Sequence, residues 1–222
     1  MKRNDVPQDV AEIREAIDTY LNTKDDQGRI IGNAKVGVYA FFDYDGEPIY
    51  VGQTNERLRT RIRRHLTNQR TDAVAMNVLD PFEVAEIEMW PFFELEKANS
   101  NVVGATLCAA EFTVYQRVLA MSSHNAVLNE KLIPVADQIE LPPSLRARII
   151  PDSIFESRKH ADIRIARRAS TIAALARVIS ERAVTAGLRR TLLTQARRLE
   201  HLAAARLEES GGNATSDPEE NS

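Results

Sequence analysis

Apolar positions along the chain set out a series of short elements. Val10, Ile13, Ile17, Tyr20 and Leu21 recur at helical spacing and predict a helix over 8–22. Thr23–Gly32 is polar and rich in turn formers and reads as a loop. Val36–Asp43 is a compact β-branched and aromatic run, a strand. Tyr44-Asp45-Gly46-Glu47 then supplies the Asp-Gly pair of a hairpin. Pro48–Val51 is the returning strand, its proline tolerated where the ladder has barely begun. Leu58, Ile62 and Leu66 place one apolar stripe on a helix from Glu56 to Leu66. The stretch 67–80 has mixed character and reads as a long connection. Val84–Trp90 alternates and predicts a third strand, and Thr106–Met121 predicts a helix with Leu107, Ala110, Val114 and Val118 on its inner side.

After Pro142-Pro143 the pattern changes. Ser157–Arg182 is rich in Ala and Arg, with Ala169, Ile172, Ala176, Ile179 and Ala183 forming an apolar seam. Gly187 breaks it, and a second helix over about 188–207 carries Leu188, Leu192, Leu199 and Leu202. Glu208–Ser222 is acidic and poor in hydrophobes and is expected to be disordered. The expected fold is α/β in the α+β sense: a small, mainly antiparallel three-stranded sheet flanked by helices, with a C-terminal helical hairpin. The segments are an N-terminal helix and loop (1–34), a core (35–135), a linker (136–156), a basic helical region (157–207) and the tail (208–222).

Composition narrows the classes. With 222 residues and 43% hydrophobic content, the chain can build one sizeable core or a small domain with an appendage. It has no run of about 18 apolar residues, and its first residues lack a secretory apolar region. A cytoplasmic protein away from membranes is the expectation. The single cysteine, Cys108, excludes an internal disulfide and a cysteine zinc cluster, and is expected to be a small buried hydrophobe. A net charge of -3 conceals an uneven distribution: residues 146–206 hold 14 Lys or Arg against 5 Asp or Glu, whereas the tail from Glu208 holds 5 acids and no base.

Chemistry-bearing residues gather around the predicted hairpin. Tyr39 and Tyr50 lie in its two strands, beside Gly37 and Gly52, which leave room for a backbone or a ligand. Arg61 and His65 share a face of the following helix, and an arginine fork suits a phosphate. Glu111 sits in an otherwise apolar helix, where a carboxylate is costly to bury unless paired or metal-bound. On the residues alone, plainer readings stand beside these: half-buried sheet tyrosines, a solvated arginine face, and a glutamate on the water side.

Gly37-Val38-Tyr39 and, ten residues on, Tyr50-Val51-Gly52 resemble the two-part signature of the GIY-YIG nuclease superfamily. The resemblance extends over roughly 35–132. Arg61 stands at the family's helix arginine, His65 at the histidine one turn later, Glu111 at its metal-binding glutamate and Asn129 at its closing asparagine. Gln53 departs from the usual lysine or serine. The resemblance implies a metal-dependent DNA endonuclease that hydrolyses phosphodiester bonds, in restriction and defence or in repair. It would use Mg²⁺ or Mn²⁺ held by Glu111 and act on double-stranded or branched DNA. It implies that Tyr39 takes a proton from water, Arg61 offsets phosphoryl charge, His65 assists or contacts a phosphate, and Tyr50 positions water or phosphate. Arg57, Arg59, Arg63 and Arg64 are expected to guide the nucleic-acid backbone or face water. Arg164, Arg167, Arg168, Arg177, Arg182, Arg189, Arg190, Arg197 and Arg198 would add phosphate contacts. Otherwise their helices pack on the core or form a homodimer seam. The rival classes are a non-cutting nucleic-acid-binding module of the same fold and a protein-interaction domain built on the C-terminal helices.

Overall fold

The predicted hairpin is the centre of the molecule. In the computed structural model, which describes residues 7–66 and 80–211, strands β1 (Gly37–Phe42) and β2 (Pro48–Thr54) pair antiparallel, with Tyr39 opposite Gly52 and Phe41 opposite Tyr50. Gly46 turns the chain at φ +76°, a conformation that costs glycine little. The Asp43 carboxylate accepts the backbone N–H groups of Asp45 and Glu47 and fixes the turn from inside. Strand β3 (Glu86–Pro91) pairs antiparallel with the other side of β1.

A fourth strand, β4 (Leu145–Arg148), pairs with β3, so the sheet runs β2-β1-β3-β4 and has four strands rather than three. It falls inside 136–156, read from sequence as a linker. Leu-Arg-Ala-Arg alternates over only four residues, too few to stand out: Leu145 and Ala147 pack on the core, and the two arginines make polar contacts along this half-exposed edge. Arg146 pairs with Glu86 at 2.7 Å and lies 3.7 Å over the Phe42 ring, and the Tyr20 hydroxyl lies 2.9 Å from the Leu145 carbonyl.

Helices cover both faces of β1, which explains its unbroken apolar run. On one face, α1 (Gln8–Leu21) and α2 (Leu58–Leu66) bury Ile17, Tyr20, Leu21, Leu58 and Ile62 against Tyr39, Phe41, Ile87 and Met89. Gly37 has no side chain because Leu58 fills that space: a Cβ there would stand 2.8 Å from Leu58 Cδ1. On the other face, α3 (Ser100–Met121) buries the four predicted residues, Leu107, Ala110, Val114 and Val118, against Val38, Ala40, Phe42, Val51 and Trp90. It begins before the predicted Thr106, at an Asn99 side chain that caps Asn101 N–H, because its first turn is exposed and carries no apolar stripe. Cys108 lies on the outer side of α3 and is exposed, not buried: the inner positions flanking it are Leu107 and Ala110.

The C-terminal region forms α4 (Asp152–Lys159), α5 (Ala161–Glu181) and α6 (Ala186–Gly211), with the first two separated at His160. The inward face of α5 is not the predicted alanine-isoleucine seam. It is Arg164, Arg168, Leu175 and Val178, and Ala169 is exposed. Arg164, Arg168 and Arg198 of α6 are 1%, 6% and 2% exposed, and all three converge on Asp43 Oδ2, at 3.4, 2.9 and 2.8 Å. The hairpin of helices thus packs on the β1–β2 turn of its own chain. Helix α6 runs past 208 to Gly211. The rest of the acidic tail, and residues 67–79 of the long connection, lie outside the described residues. Among the described residues, no helix is long and apolar enough to cross a membrane.

Candidate active site at the edge of the hairpin

Strand β2 is an edge strand, and an edge exposes backbone groups that must find partners. Its outer edge is covered in order along the chain. Pro48 O accepts from Arg198, Ile49 O accepts from Leu128 N–H, and Asn129 both accepts from Val51 N–H (3.0 Å) and donates to Val51 O (2.7 Å). Cover by 128–129 stops there, and the sequence-predicted residues assemble around the next positions, Gly52 and Gln53.

Tyr39 is completely buried. Its hydroxyl reaches over Gly52, where any Cβ would stand 2.5 Å from the Tyr39 oxygen and 2.8 Å from the Tyr50 ring. The room left by Gly52 is therefore filled by the two tyrosines. From α2, Arg61 Nε donates to the Tyr39 hydroxyl at 3.3 Å and His65 Nε2 lies 2.8 Å from it. Helical spacing puts these two side chains one turn apart on the same face. The Tyr50 ring completes the cluster, its centroid 5.0 Å from the His65 ring and 6.2 Å from the Tyr39 ring. His65 is 4% exposed, whereas Tyr50 and Arg61 are half-buried.

Glu111 arrives from α3 on the opposite face of the sheet. Gln53 Nε2 donates to its Oε2 at 3.0 Å across the end of β2. Burial raises the Glu111 carboxyl above its ordinary value, and the Gln53 hydrogen bond and the Arg61 charge offset that only in part. Burial works against the Arg61 charge, but Tyr39, Tyr50 and Glu56 together outweigh it and raise the guanidinium above its ordinary value. A groove of about 390 Å³ opens between α2 and α3, lined by Gln53, Thr54, Glu56, Arg61, Leu107 and Cys108 among others.

Tyr39, Tyr50, Arg61 and His65 thus form one cluster, with Glu111 joined to it through Gln53 and the field of Arg61. Asn129 stands apart: it meets the Val51 backbone and holds the strand rather than touching the tyrosines. The other helix arginines mostly have partners within the fold. Arg59 donates to Leu21 O and Asn22, Arg63 pairs with Asp18 at 2.6 Å, and Arg64 pairs with Glu56 at 2.8 Å. Arg57 is exposed at the head of α2. Two residues were not recognised from sequence for what they do. Gln53 registered only as a departure, although a polar residue at the end of an apolar strand signals a specific partner. Asp43 was read only as the last residue of the Val36–Asp43 strand.

Residues 35–98 match the family model of the GIY-YIG catalytic domain. No curated protein and no solved structure matches the chain. The matched segment holds β1, β2, α2 and β3 and so contains Tyr39, Tyr50, Arg61 and His65; Glu111 and Asn129 lie beyond it. Over that segment the chain is similar to the GIY-YIG catalytic domain, a match that supports the GIY-YIG nuclease superfamily.

Proposed function

We propose that this GIY-YIG domain is a divalent-metal-dependent endonuclease that hydrolyses DNA phosphodiester bonds at the Tyr39–Arg61–Glu111 site. One observation carries the reading: the Tyr39 oxygen lies between Arg61 Nε and His65 Nε2, at 3.3 and 2.8 Å. A guanidinium can only donate, so the Tyr39 oxygen is the acceptor of that bond. In the tautomer with the histidine proton on Nδ1, the phenol donates to His65 Nε2. In this arrangement His65 draws a proton from Tyr39 as Tyr39 takes one from an attacking water. A phenol ordinarily loses its proton near pH 10, and the neighbouring guanidinium favours the phenolate. Arg61 has further N–H groups with which to hold non-bridging phosphoryl oxygens as negative charge accumulates. Tyr50, half-buried beside His65, orients the water or the phosphate through its hydroxyl.

Glu111 fits a Mg²⁺ or Mn²⁺ ligand. Such ions take oxygen donors, keep most of their waters and need only one or two protein carboxylates. Among the described residues Glu111 accepts one hydrogen bond, on Oε2, and its charge is disfavoured by burial, a cost that a cation would offset. Among the described residues no group of three or more His, Cys, Asp or Glu side chains could form a protein-only cage. When bound, the ion supplies Lewis-acid polarisation of the phosphoryl group and stabilisation of the leaving oxygen. Gln53 holds the carboxylate in place from across the strand, and Asn129 fixes the strand that carries Gln53.

The test is a panel of duplex, branched and single-stranded DNA and of RNA, each incubated with and without Mg²⁺ or Mn²⁺, with the new ends sequenced. Metal-dependent internal cleavage of duplex or branched DNA, leaving 5′-phosphate and 3′-hydroxyl ends, is the expected outcome. Absence of cleavage on every substrate would contradict the reading, and cleavage confined to RNA would replace DNA as the substrate.

A further inference from the structure

The nine C-terminal arginines expected to contact phosphates, out of eleven in 157–207, do not form one basic surface. The fold divides them into two groups. Arg164, Arg168 and Arg198 are buried against Asp43, and Arg167 pairs with Glu83 at 2.9 Å. Arg177, Arg182, Arg189, Arg190 and Arg197 are exposed, and among the described residues none of the five forms an ion pair.

Three contacts give the direction in which α6 lies. Near its C-terminal half, the His201 ring meets His124 at 5.2 Å, and Arg198 reaches Pro48 O at the start of β2. At its beginning, Gly187 lies so close to the Glu130 carbonyl that a Cβ there would be 1.9 Å from the oxygen. Glu130 follows Asn129, which is bound to Val51, one residue before Gly52. Helix α6 therefore runs back along the covered edge of β2, and its first turn stands at the end where the site opens. Arg189 and Arg190 belong to that turn, Arg182 closes α5 beside it, and exposed Lys131 follows Glu130. Against these four cations stand Glu130 and Glu181, so the surface beside the site is net positive.

We propose that this hairpin tip, Arg182, Arg189 and Arg190 with Lys131, grips the phosphates of the nucleic-acid strand running through the Tyr39–Glu111 site. The inference rests on the endonuclease reading. Arginine forks suit phosphate oxygens, and the location beside the site makes these contacts continuous with the scissile phosphate. The buried arginines take no part; they hold the tip in position through Asp43.

The experiment compares the full chain, its Arg182→Gln/Arg189→Gln/Arg190→Gln variant and an Arg197→Gln control. Arg197 is equally exposed on α6 but lies about two turns further from the tip. Affinity for a 40-base-pair duplex is measured without metal over a salt series, and cleavage is measured at saturating duplex with metal. The triple variant is expected to bind about 10-fold or more weakly, with a salt slope shallower by about 3. Its cleavage rate at saturation should stay within about 2-fold of the full chain. The same affinity and slope in the triple variant and the control, with the full chain binding and cutting normally, would overturn the inference alone. A full chain that neither binds nor cuts would overturn the endonuclease reading and this inference with it. Because all three positions are exposed, the folded state is checked by circular dichroism, and Arg189→Gln alone supplies one-third of the slope change if the triple variant misfolds.

Discussion

Tyr39 combines full burial with a hydroxyl that meets both a guanidinium and an imidazole. That combination depends on Gly52, whose hydrogen atoms are all that fits beneath the phenol. Gly52→Ala would bring a methyl group within 2.5 Å of the Tyr39 oxygen. The ring must then move, or the strand must, at a cost of about 1–3 kcal/mol. We expect a lower melting temperature and a loss of nuclease activity larger than the loss of folded protein explains. Activity per folded molecule, measured from a melt and a cleavage rate on the same sample, checks this. Unchanged specific activity would show that the Tyr39 hydroxyl is not where the chemistry happens. At this scale the sequence was informative: Tyr39, Tyr50, Arg61 and His65 converge as their spacing suggested, because a hairpin followed by a helix leaves few other arrangements. Gln53 was legible as an anomaly but not as the partner of Glu111, since the two are 58 residues apart and meet only when α3 packs on β2.

At the scale of elements, the first helix, the hairpin and the inner face of α3 follow from apolar periodicity, and the structure agrees with it nearly residue for residue. Periodicity failed where burial is ionic. Helix α5 turns Arg164 and Arg168 inward, so an apolar seam drawn through Ala169 and Ile172 selects the wrong face. Strand β4 escaped notice for another reason: its alternation spans only four residues, with Leu145 and Ala147 on the core and Arg146 held by Glu86 and the Phe42 ring. Asp43 is the hinge of this arrangement, with Oδ1 fixing the hairpin turn and Oδ2 facing three guanidinium groups. Asp43→Asn keeps the shape but removes the charge that compensates buried arginines, and removing one partner of a buried pair costs about 3–5 kcal/mol. Chemical denaturation should show a loss of that size. A loss under about 1 kcal/mol would mean that Glu83 and Asp45 alone satisfy the cluster.

For the whole molecule, the site exists only because two layers meet at one sheet edge. Tyr39, Arg61 and His65 belong to the α2 side, Glu111 to the α3 side, and Asn129 with α6 closes the strand between them. A net charge of -3 conceals this organisation, since part of the positive charge neutralises Asp43 and Glu83 inside and part faces outward beside the site. The central claim is that the two sides form a single phosphodiester-hydrolysing centre. Single-turnover cleavage of a duplex by Arg61→Ala and Glu111→Gln, with Mg²⁺ and enzyme in excess, tests it most directly. Each variant should melt close to the parent and cut at least about 10²-fold more slowly. Either variant cutting at the parental rate would contradict it.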